Sequence, residues 1–581
     1  MKSVFQSASR ITILANFIFL AFAVIVIRLF YLQIIQGSEY KKLANREQIK
    51  QDTIPAHRGL IYAMDGKKPI KLVMNETIYT VFIDPKVDNP KAKTEAIKLL
   101  REVAGGNLKG NIEDAFKKRD SRYEVVATKL SHKQADVIAS KKNPYIGLEP
   151  VSRRVYPEGQ LASQVLGFVN YEGGKYGIES SFNKELTGKD GLLKTAKDVL
   201  GAPLVIGSEN IERPPVNGKN IVLSIDRNIQ AQTERVLQKH MQKKGMKNGS
   251  VLVMNPNNGK VLAMANYPTY DPSKFGEVKD GSVFNNNTVT MPYENGSVIK
   301  SFTMAMGINE GVAKGQDTYY NADFIKVEDR TIKNAVLGHT GQITFQTAMN
   351  YSLNTGMVTI ANRLGSNGMI DNKSRNTIYD YLHNRFGLGK KTGIEVAEST
   401  GTVIPPDKVE GNNVRYSNMT FGQGMDTTMI QTATAFSSLI NGGNLYRPSL
   451  INGEVTQEGA FEKNEAQIHR RNVISEDTSK QIKQILISAR ANANRGGADS
   501  KGYNIGGKTG TSQTLIDGKY VDNQTIGSYL GFGGGKQSEY VIMVAVWGKN
   551  QNLQGHSDAS PIFTDISNWM LNYLEVKPTE G

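Results

Sequence analysis

One segment decides what the rest of the chain can be. From Ile11 the sequence reads ITILANFIFLAFAVIVI, with Asn16 the only strongly polar side chain before Arg28, and Leu29 to Ile35 extend the apolar character. A helix over this stretch can cross a hydrocarbon core of about 30 Å, even when tilted. No second stretch of that length follows. The sequence therefore predicts one transmembrane signal anchor over 11–35 and a large body on one side of a single membrane. Lys2 and Arg10 precede the span, which predicts a cytoplasmic tail over 1–10. Arg28, near the far end, can carry its head group outward. A cleavable leader fits poorly, because the run is long and continues into LFYLQIIQGSEYKKL without a small-x-small site. The chemistry is expected outside the cytoplasm, anchored to the cytoplasmic (inner) membrane.

At 581 residues the chain exceeds what one core can organise, so more than one domain is expected. Its 70 Lys and Arg against 55 Asp and Glu give a charge of +15. That excess is spread along the chain, with no dense basic block, so nucleic acid is not expected as a partner. Anionic lipid head groups or an acidic wall polymer account for it as well. Cysteine is absent, which removes disulfides, thiolate metal sites and thiol nucleophiles. The seven His residues are scattered without ligand spacing, so each reads as structural or surface, and neither metal nor cofactor is expected.

Residues 37–57 (GSEYKKLANREQIKQDTIPAH) read as a polar helical stalk. From Arg58 to Pro215, alternating stretches such as YTVFID (79–84) and YEVVATKL (123–130) predict strands, with a helix over KAKTEAIKLLREVAG (91–105). No catalytic cluster lies there, and the region reads as a scaffold. Pro214-Pro215 followed by Asn217-Gly218 marks a boundary. The division expected is a non-catalytic domain over 36–216, a catalytic domain over 217–576 and a tail over 577–581. In the second domain, NIVLSID (220–226) predicts a strand, RNIQAQTERVLQKHMQKK (227–244) a helix, and GSVLVMNPNNGKVLAMANYP (249–268) a hairpin. SYLGFGG (528–534) and EYVIMVAVWG (539–548) predict the last strands, ahead of a final helix near 559–574.

Three short strings carry the chemistry: Ser297-Val-Ile-Lys300, Ser352-Leu-Asn354 and Lys508-Thr-Gly510. Each pattern also occurs elsewhere: Ser38 to Lys41 and Ser181 to Lys184, Ser208 to Asn210 and Ser374 to Asn376, and Lys391-Thr-Gly393. Context separates them. Ser297 opens an apolar helical stretch, and at i and i+3 it shares a face with Lys300. A lysine acts as a base only when neutral, which takes desolvation or a neighbouring cation. Lys508 can be that cation. It lies in YNIGGKTGTSQ (503–513), whose glycines Gly506 and Gly507 would let a substrate backbone come close to a strand. Lys508, Thr509 and Thr511 would receive a carboxylate. Ser352 and Asn354 stand between two apolar helical stretches, where helix capping and a role in a cleft are both open.

These motifs resemble those of penicillin-binding proteins and related β-lactamases, and the chain is identified as a member of the class B penicillin-binding proteins. Arg58-Gly59-Leu60-Ile61-Tyr62, RRVYPEGQLASQVLGFV (153–169) with Tyr176-Gly177-Ile178-Glu179, Asn255-Pro256 to Gly259, Asp271-Pro272 and Phe421-Gly422-Gln423-Gly424 match family landmarks in order. The resemblance implies a multidomain α+β fold: a transmembrane helix, an elongated α+β pedestal, and a transpeptidase domain of an antiparallel sheet flanked by helices plus an all-helical subdomain. It implies a D,D-transpeptidase that cleaves D-Ala-D-Ala and passes the acyl group to an amine on a neighbouring stem peptide. Ser297 would be acylated, Lys300 would take its proton, Ser352 would relay a proton and Asn354 would hold the donor's amide. Lys508 with Gly507, Thr509, Gly510 and Thr511 would bind the substrate's carboxylate end. N–H groups of Ser297 and Thr511 would form an oxyanion hole. Implied partners are peptidoglycan stem peptides, β-lactams bound covalently, the membrane, a glycan polymerase of the SEDS family and divisome proteins.

The sequence departs from the family at Asn295, where Pro is usual, at Ile299 and Ser301 flanking the lysine, and at Ala63-Met64-Asp65-Gly66 near the scaffold start. None of these removes a reacting atom. No glycosyltransferase signature precedes residue 217. LGFVNYEGGKYGIE (166–179) is more similar to division-type than to elongation-type members. A carboxypeptidase or β-lactamase would use the same triplet with water as acceptor, and a penicillin sensor or a wall-synthesis scaffold is the non-catalytic alternative.

Overall fold

A computed structural model describes residues 10–40, 49–196, 211–492, 498–516 and 519–579. Except for Arg10, the expected tail 1–10 lies outside the described residues; so do 41–48 of the expected stalk and the last two residues of the tail 577–581. The chain divides into two compact units, one of 1–58 with 187–218 and one of 59–186 with 219–581.

The first unit holds a helix, Arg10–Phe30, continued by a wider turn over Tyr31–Ile35. It is long and apolar enough to cross a membrane: 25 residues from Ile11 to Ile35, or about 37 Å at 1.5 Å per residue. Its side chains stand exposed, Phe17 by 73% and Phe22 by 65%. Arg28 lies over the Tyr31 ring, 5.6 Å from its centre. The unit also holds a sheet in which Gly191–Ala196 pairs antiparallel with both Ile49–Ile54 and Ile211–Arg213. Part of the expected helical stalk is therefore a strand. The polar composition of 37–57 suits an exposed helix, but from Ile49 the backbone finds a ladder partner about 140 residues away, and pairing overrides local preference.

The second unit is organised by two sheets. In the first, Asn220–Asp226 lies between Ile61–Asp65, with which it runs parallel, and Ile451–Val455, with which it runs antiparallel. The sheet continues through the long strand Lys68–Ile83 to Glu124–Leu130, and Ile146–Val155 also pairs with that long strand. The helix Pro90–Ala104 buries Ala92, Ala96, Leu100 and Ala104. These i, i+4 positions form one stripe, packed with Val81, Ile83 and Val126 in a local core. Three scaffold landmarks meet at one buried ion pair. Arg154 Nε donates to Glu179 at 2.6 Å, and Nη1 donates to the Gly59 carbonyl at 2.7 Å and to Asn75 Oδ1 at 2.8 Å. The two side chains are 4% and 0% exposed.

The second sheet has five antiparallel strands in the order Val261–Tyr267, Asn248–Met254, Ser538–Trp547, Lys519–Gly534, Asn504–Ile516. Alternation along its central strand divides two cores. Val541, Met543 and Ala545 join the larger core, while Ile542, Val544 and Val546 pack with the helices Arg227–Lys244 and Ser560–Tyr573. On the larger-core side lie Lys300–Asn309, Met429–Ile440 and Glu476–Asn492. The subdomain expected to be all-helical also carries two short hairpins, one pairing Thr318–Asn321 with Gly341–Thr344 and the other Phe324–Val327 with Arg330–Lys333.

Removing one partner of a buried pair strands the other charge. Arg154→Ala is expected to lower unfolding free energy by about 3–5 kcal/mol. Arg153→Ala, which breaks the pair with Glu76 whose side chains are 47% and 50% exposed, is expected to cost about 0–1 kcal/mol. Urea denaturation of both variants checks the contrast.

Candidate active site

Ser297 lies on a tight turn, Gly296–Ile299, that leads into the helix Lys300–Asn309, which is buried through Ile308. The turn is held by segments distant in sequence. Gly296 N–H donates to the Gly422 carbonyl at 3.1 Å. Both glycines have positive φ, +57° and +87°. A Cβ on Gly422 would stand 1.9 Å from the Gly296 oxygen, and one on Gly296 would stand 2.6 Å from the Thr511 oxygen. Only backbone fits between these segments. Asn295, where the resembled family usually has Pro, donates to Thr427 Oγ1 at 2.6 Å and to the Tyr293 carbonyl at 3.1 Å. Hydrogen bonds here do the work of ring rigidity. Glu294 accepts from Gly424 N–H at 2.7 Å and from the Tyr520 hydroxyl at 3.1 Å.

Lys300 is fully buried. Its Nζ donates to the Ser352 carbonyl at 2.5 Å and lies 3.1 Å from Ser352 Oγ. Burial first, and then the positive charge of Lys508, hold its pKa well below the ordinary lysine value. A neutral amine suits this pocket: one N–H serves the carbonyl while the lone pair accepts the hydroxyl proton. The hydrogen-bonded partner of Lys300 among the described residues is thus Ser352, where the sequence reading pairs it with Ser297.

Ser352 ends the helix Phe345–Tyr351 with φ +57°, a left-handed conformation that costs a non-glycine residue about 1–2 kcal/mol. It turns both oxygens toward Lys300. The next helix, Asn354–Leu364, has Leu353 at its cap position. Asn354 Nδ2 donates to the Lys333 carbonyl at 2.8 Å.

Lys508 is 3% exposed. It lies on Asn504–Ile516, the terminal strand of the five-stranded sheet, with its Nζ 3.4 Å from the Thr509 carbonyl. Thr509 and Thr511 alternate to one side of this strand, and Gly555 N–H donates to Thr511 Oγ1 at 3.2 Å. The glycines answer to internal packing. A Cβ at Gly506 would meet Phe532 at 2.6 Å and the backbone of the helix Glu476–Asn492 at 3.0 Å. One at Gly507 would meet the neighbouring strand at 2.7 Å, and one at Gly510 the Asn295 carbonyl at 2.4 Å. The expectation that the Gly506-Gly507 pair clears room for substrate is therefore replaced: the room is taken by the protein itself.

Ser297, Ser352, Asn354, Thr509 and Thr511 line one cavity of about 620 Å³. Lys300 and Lys508 are buried behind it, and Gly507 and Gly510 do not line it. Tyr351, Asn492, Gln554 and His556 also line it and were not singled out in the sequence. His556 read there as structural or surface. No motif ties the segment around it to the strings above; it is delivered by the helical turn Gly555–Ala559, docked on the strand of Lys508 through Gly555 N–H and Thr511 Oγ1. Of the competing strings, Ser374 caps its own helix with Asp371. Thr392 and Gly393 bind the Glu398 carboxylate. Lys41 and the Ser208 string lie outside the described residues.

Residues 249–568 match the family model of the penicillin-binding protein transpeptidase domain, and residues 53–223 that of the penicillin-binding protein dimerisation domain. The chain is 31% identical to Stage V sporulation protein D of Bacillus subtilis, over 97% of this chain and 85% of that protein. It is 26% identical to peptidoglycan D,D-transpeptidase FtsI of Escherichia coli, over 98% and 92%. In fold it is similar to penicillin-binding protein 2X from Streptococcus thermophilus, with a TM-score of 0.74 at 22% identity over 90% of this chain and 80% of that one. It is also similar to penicillin-binding protein 3 from Mycobacterium tuberculosis complexed with ampicillin, with a TM-score of 0.68 at 23% identity over 91% and 98%.

The depressed Lys300 pKa has a testable sign. The base works when deprotonated, so acylation by a fluorescent penicillin should rise with pH through that pKa. Lys508→Gln removes a neighbouring positive charge and lets the Lys300 pKa rise, so the acidic limb should move to higher pH. Lys508→Arg should leave it in place. Gly422→Ala, which forces a side chain against the nucleophile turn, should cost about 1–3 kcal/mol of stability. It should also slow acylation about 10–100-fold, read by thermal melting and by labelling rate.

Proposed function

Because the chain belongs to the penicillin-binding protein family, with a dimerisation domain ahead of a transpeptidase domain, we propose that it cross-links peptidoglycan stem peptides from the outer face of the cytoplasmic membrane. It is a serine-type D-Ala-D-Ala transpeptidase. The observation that carries the mechanism is the fully buried Lys300 amine on Ser352, its pKa held low beside Lys508.

In the first half-reaction Ser297 Oγ attacks the carbonyl of the penultimate D-Ala and its proton passes to the neutral Lys300 amine. The carbonyl oxygen becomes an oxyanion, which the N–H groups of Ser297 and Thr511 would stabilise, each worth about 3–4 kcal/mol in such sites. The 3.1 Å contact from Lys300 to Ser352 Oγ supports Ser352 as the relay that delivers the proton to the departing nitrogen. The peptide C–N bond breaks, D-Ala leaves as an amine, and an ester remains on Ser297. In the second half, a neutral acceptor amine attacks the ester carbon. A new amide forms, the ester C–O bond breaks, and a proton from the amine returns to Ser297. Asn354 would hold the donor's amide. Lys508, Thr509 and Thr511, with the backbone of Gly507 and Gly510, would seat the terminal carboxylate. A β-lactam enters the same first half and stays bound, because its leaving nitrogen remains tethered.

We assign 36–216 to the pedestal and 217–576 to the transpeptidase domain, with 11–35 as a signal anchor and a cytoplasmic N-terminus. The division-type likeness of 166–179 supports cross-linking at the septum, beside a SEDS-family glycan polymerase and divisome proteins.

Purified protein should form a stable covalent adduct with fluorescent penicillin, and Ser297→Ala should abolish it with no change in melting temperature. Labelling that survives the substitution would sink the assignment of the nucleophile. Rapid turnover of the penicillin would point to water as the acceptor.

A further inference from the structure

We propose that His556 sets which donor the site accepts, by pairing its imidazolium with a carboxylate on the donor's side arm. The favoured substrate is then a stem peptide whose residue ahead of the D-Ala pair carries a free carboxylate on that arm. The proposal rests on the transpeptidase reading above and adds to it the chemistry of the donor.

The wall of the cavity at Ser297 carries no permanent charge. None of the described residues that line it is Asp, Glu, Lys or Arg. Asn350, Asn354, Asn492 and Gln554 offer neutral amides, which serve a charged arm and an uncharged one alike. His556 is the one lining side chain among the described residues that changes charge between about pH 5 and 8. It is exposed, so it meets a ligand that enters from solvent. Lys508, buried behind the wall, answers to the terminal carboxylate in the reading above. An arm that ends in a carboxylate therefore finds its counter-charge on a protonated His556, and an arm that ends in an ammonium finds none on this wall.

The backbone fixes where that imidazole stands. Its turn, Gly555–Ala559, lies flush on two strands of the five-stranded sheet. A Cβ on Gly555 would run into the carbonyls of Gly510 and Ser528, and one on Gly527 would stand 2.7 Å from the Gln554 backbone. Gly555 N–H donates to Thr511 Oγ1 at 3.2 Å, and Gln554 N–H donates to Asp558 Oδ2 at 2.7 Å. His556 is thus held one residue from the contact with Thr511. The carboxylates of the turn and its neighbours are taken or distant. Asp558 receives Lys244 Nζ at 2.7 Å, and Asp565 on Ser560–Tyr573 pairs with Lys239 at 3.5 Å and His240 at 3.0 Å. Asn504–Ile516 brings one charged residue, Lys508. Lys519 and Asp522 lie well along their strand from Gly527, and Glu539 lies toward the far end of the strand whose Val546 pairs with Gly527.

The test uses full-length protein in detergent and three penicillins made by acylating 6-aminopenicillanic acid with adipic acid, adipic acid monoamide or 6-aminohexanoic acid. Their arms end in a carboxylate, a carboxamide and an ammonium, and are otherwise matched. Acylation rates are read by competition with fluorescent penicillin at about pH 6 and about pH 8.5. Titration of Lys300 changes all three rates together and cancels in their ratios. At about pH 6 the carboxylate arm should react about fivefold faster than the carboxamide arm, with the ammonium arm slowest. At about pH 8.5, where an imidazole is neutral, that preference should fall below about twofold. His556→Gln should hold it below about twofold at both pH values, and His556→Arg should keep it near about fivefold at both. A carboxylate preference that is absent in the wild type, that ignores pH there, or that survives His556→Gln would overturn the proposal. Faster reaction of the carboxamide arm would do so too, since the wall would then read amides. A wild type that no penicillin acylates would strike the transpeptidase reading itself, and the inference with it.

Discussion

Two buried lysine side chains lie close enough behind Ser297 that the charge of Lys508 adds to burial in disfavouring charge on Lys300. Lys300 is fully buried and Lys508 almost so. Desolvation first and then repulsion from Lys508 favour the neutral form of Lys300. Lys300 is given a carbonyl and a hydroxyl from Ser352 as partners, neither of which requires it to be cationic. The left-handed backbone at Ser352, between two helices, is the conformation in which its carbonyl and its hydroxyl both meet that amine.

Holding such a site requires that its supports not shift. The nucleophile turn is wedged between Gly422 and Thr511 with no room for a methyl group on either glycine. The strand carrying Lys508 is fitted against the helix Glu476–Asn492 and its neighbouring strand by glycines that leave no slack. The five-stranded sheet behind it is packed on both faces, with alternate residues of Ser538–Trp547 entering different cores. The chemistry is thus carried by elements that have little freedom to move.

Much of this was legible in the sequence, for identifiable reasons. The hairpin over 249–268, the helix over 227–244 and the last two strands follow from local alternation and turn residues, and Ser297, Ser352 and Lys508 follow from spacing. What local pattern could not show was long-range pairing. Ile49 to Ile54 take a strand because Gly191–Ala196 is there to meet them. Gly506 and Gly507 look alike in sequence whether they make room for a ligand or for Phe532 and Gly531, and only the packing distinguishes the two. Gln554 and His556 reach the cavity through the helical turn Gly555–Ala559, which Gly555 N–H ties to Thr511 Oγ1. Ser352 could be read as a cap or as a functional hydroxyl, and it is both: its backbone closes the helix Phe345–Tyr351 while its two oxygens go to Lys300, and Leu353 opens the next helix.

The strand Asn220–Asp226 lies past the boundary expected at Pro214-Pro215, yet the dimerisation-domain match runs on to residue 223 and one of the strand's two hydrogen-bonded neighbours is Ile61–Asp65. Severing the chain near residue 217 would therefore uncover a row of backbone amides and carbonyls along an interior strand instead of yielding a pair of finished bodies. Such a raw margin recruits other strands. A truncated catalytic fragment would accordingly tend toward self-association, and its poor solubility would reflect lost ladder partners, with the reacting groups themselves still in place.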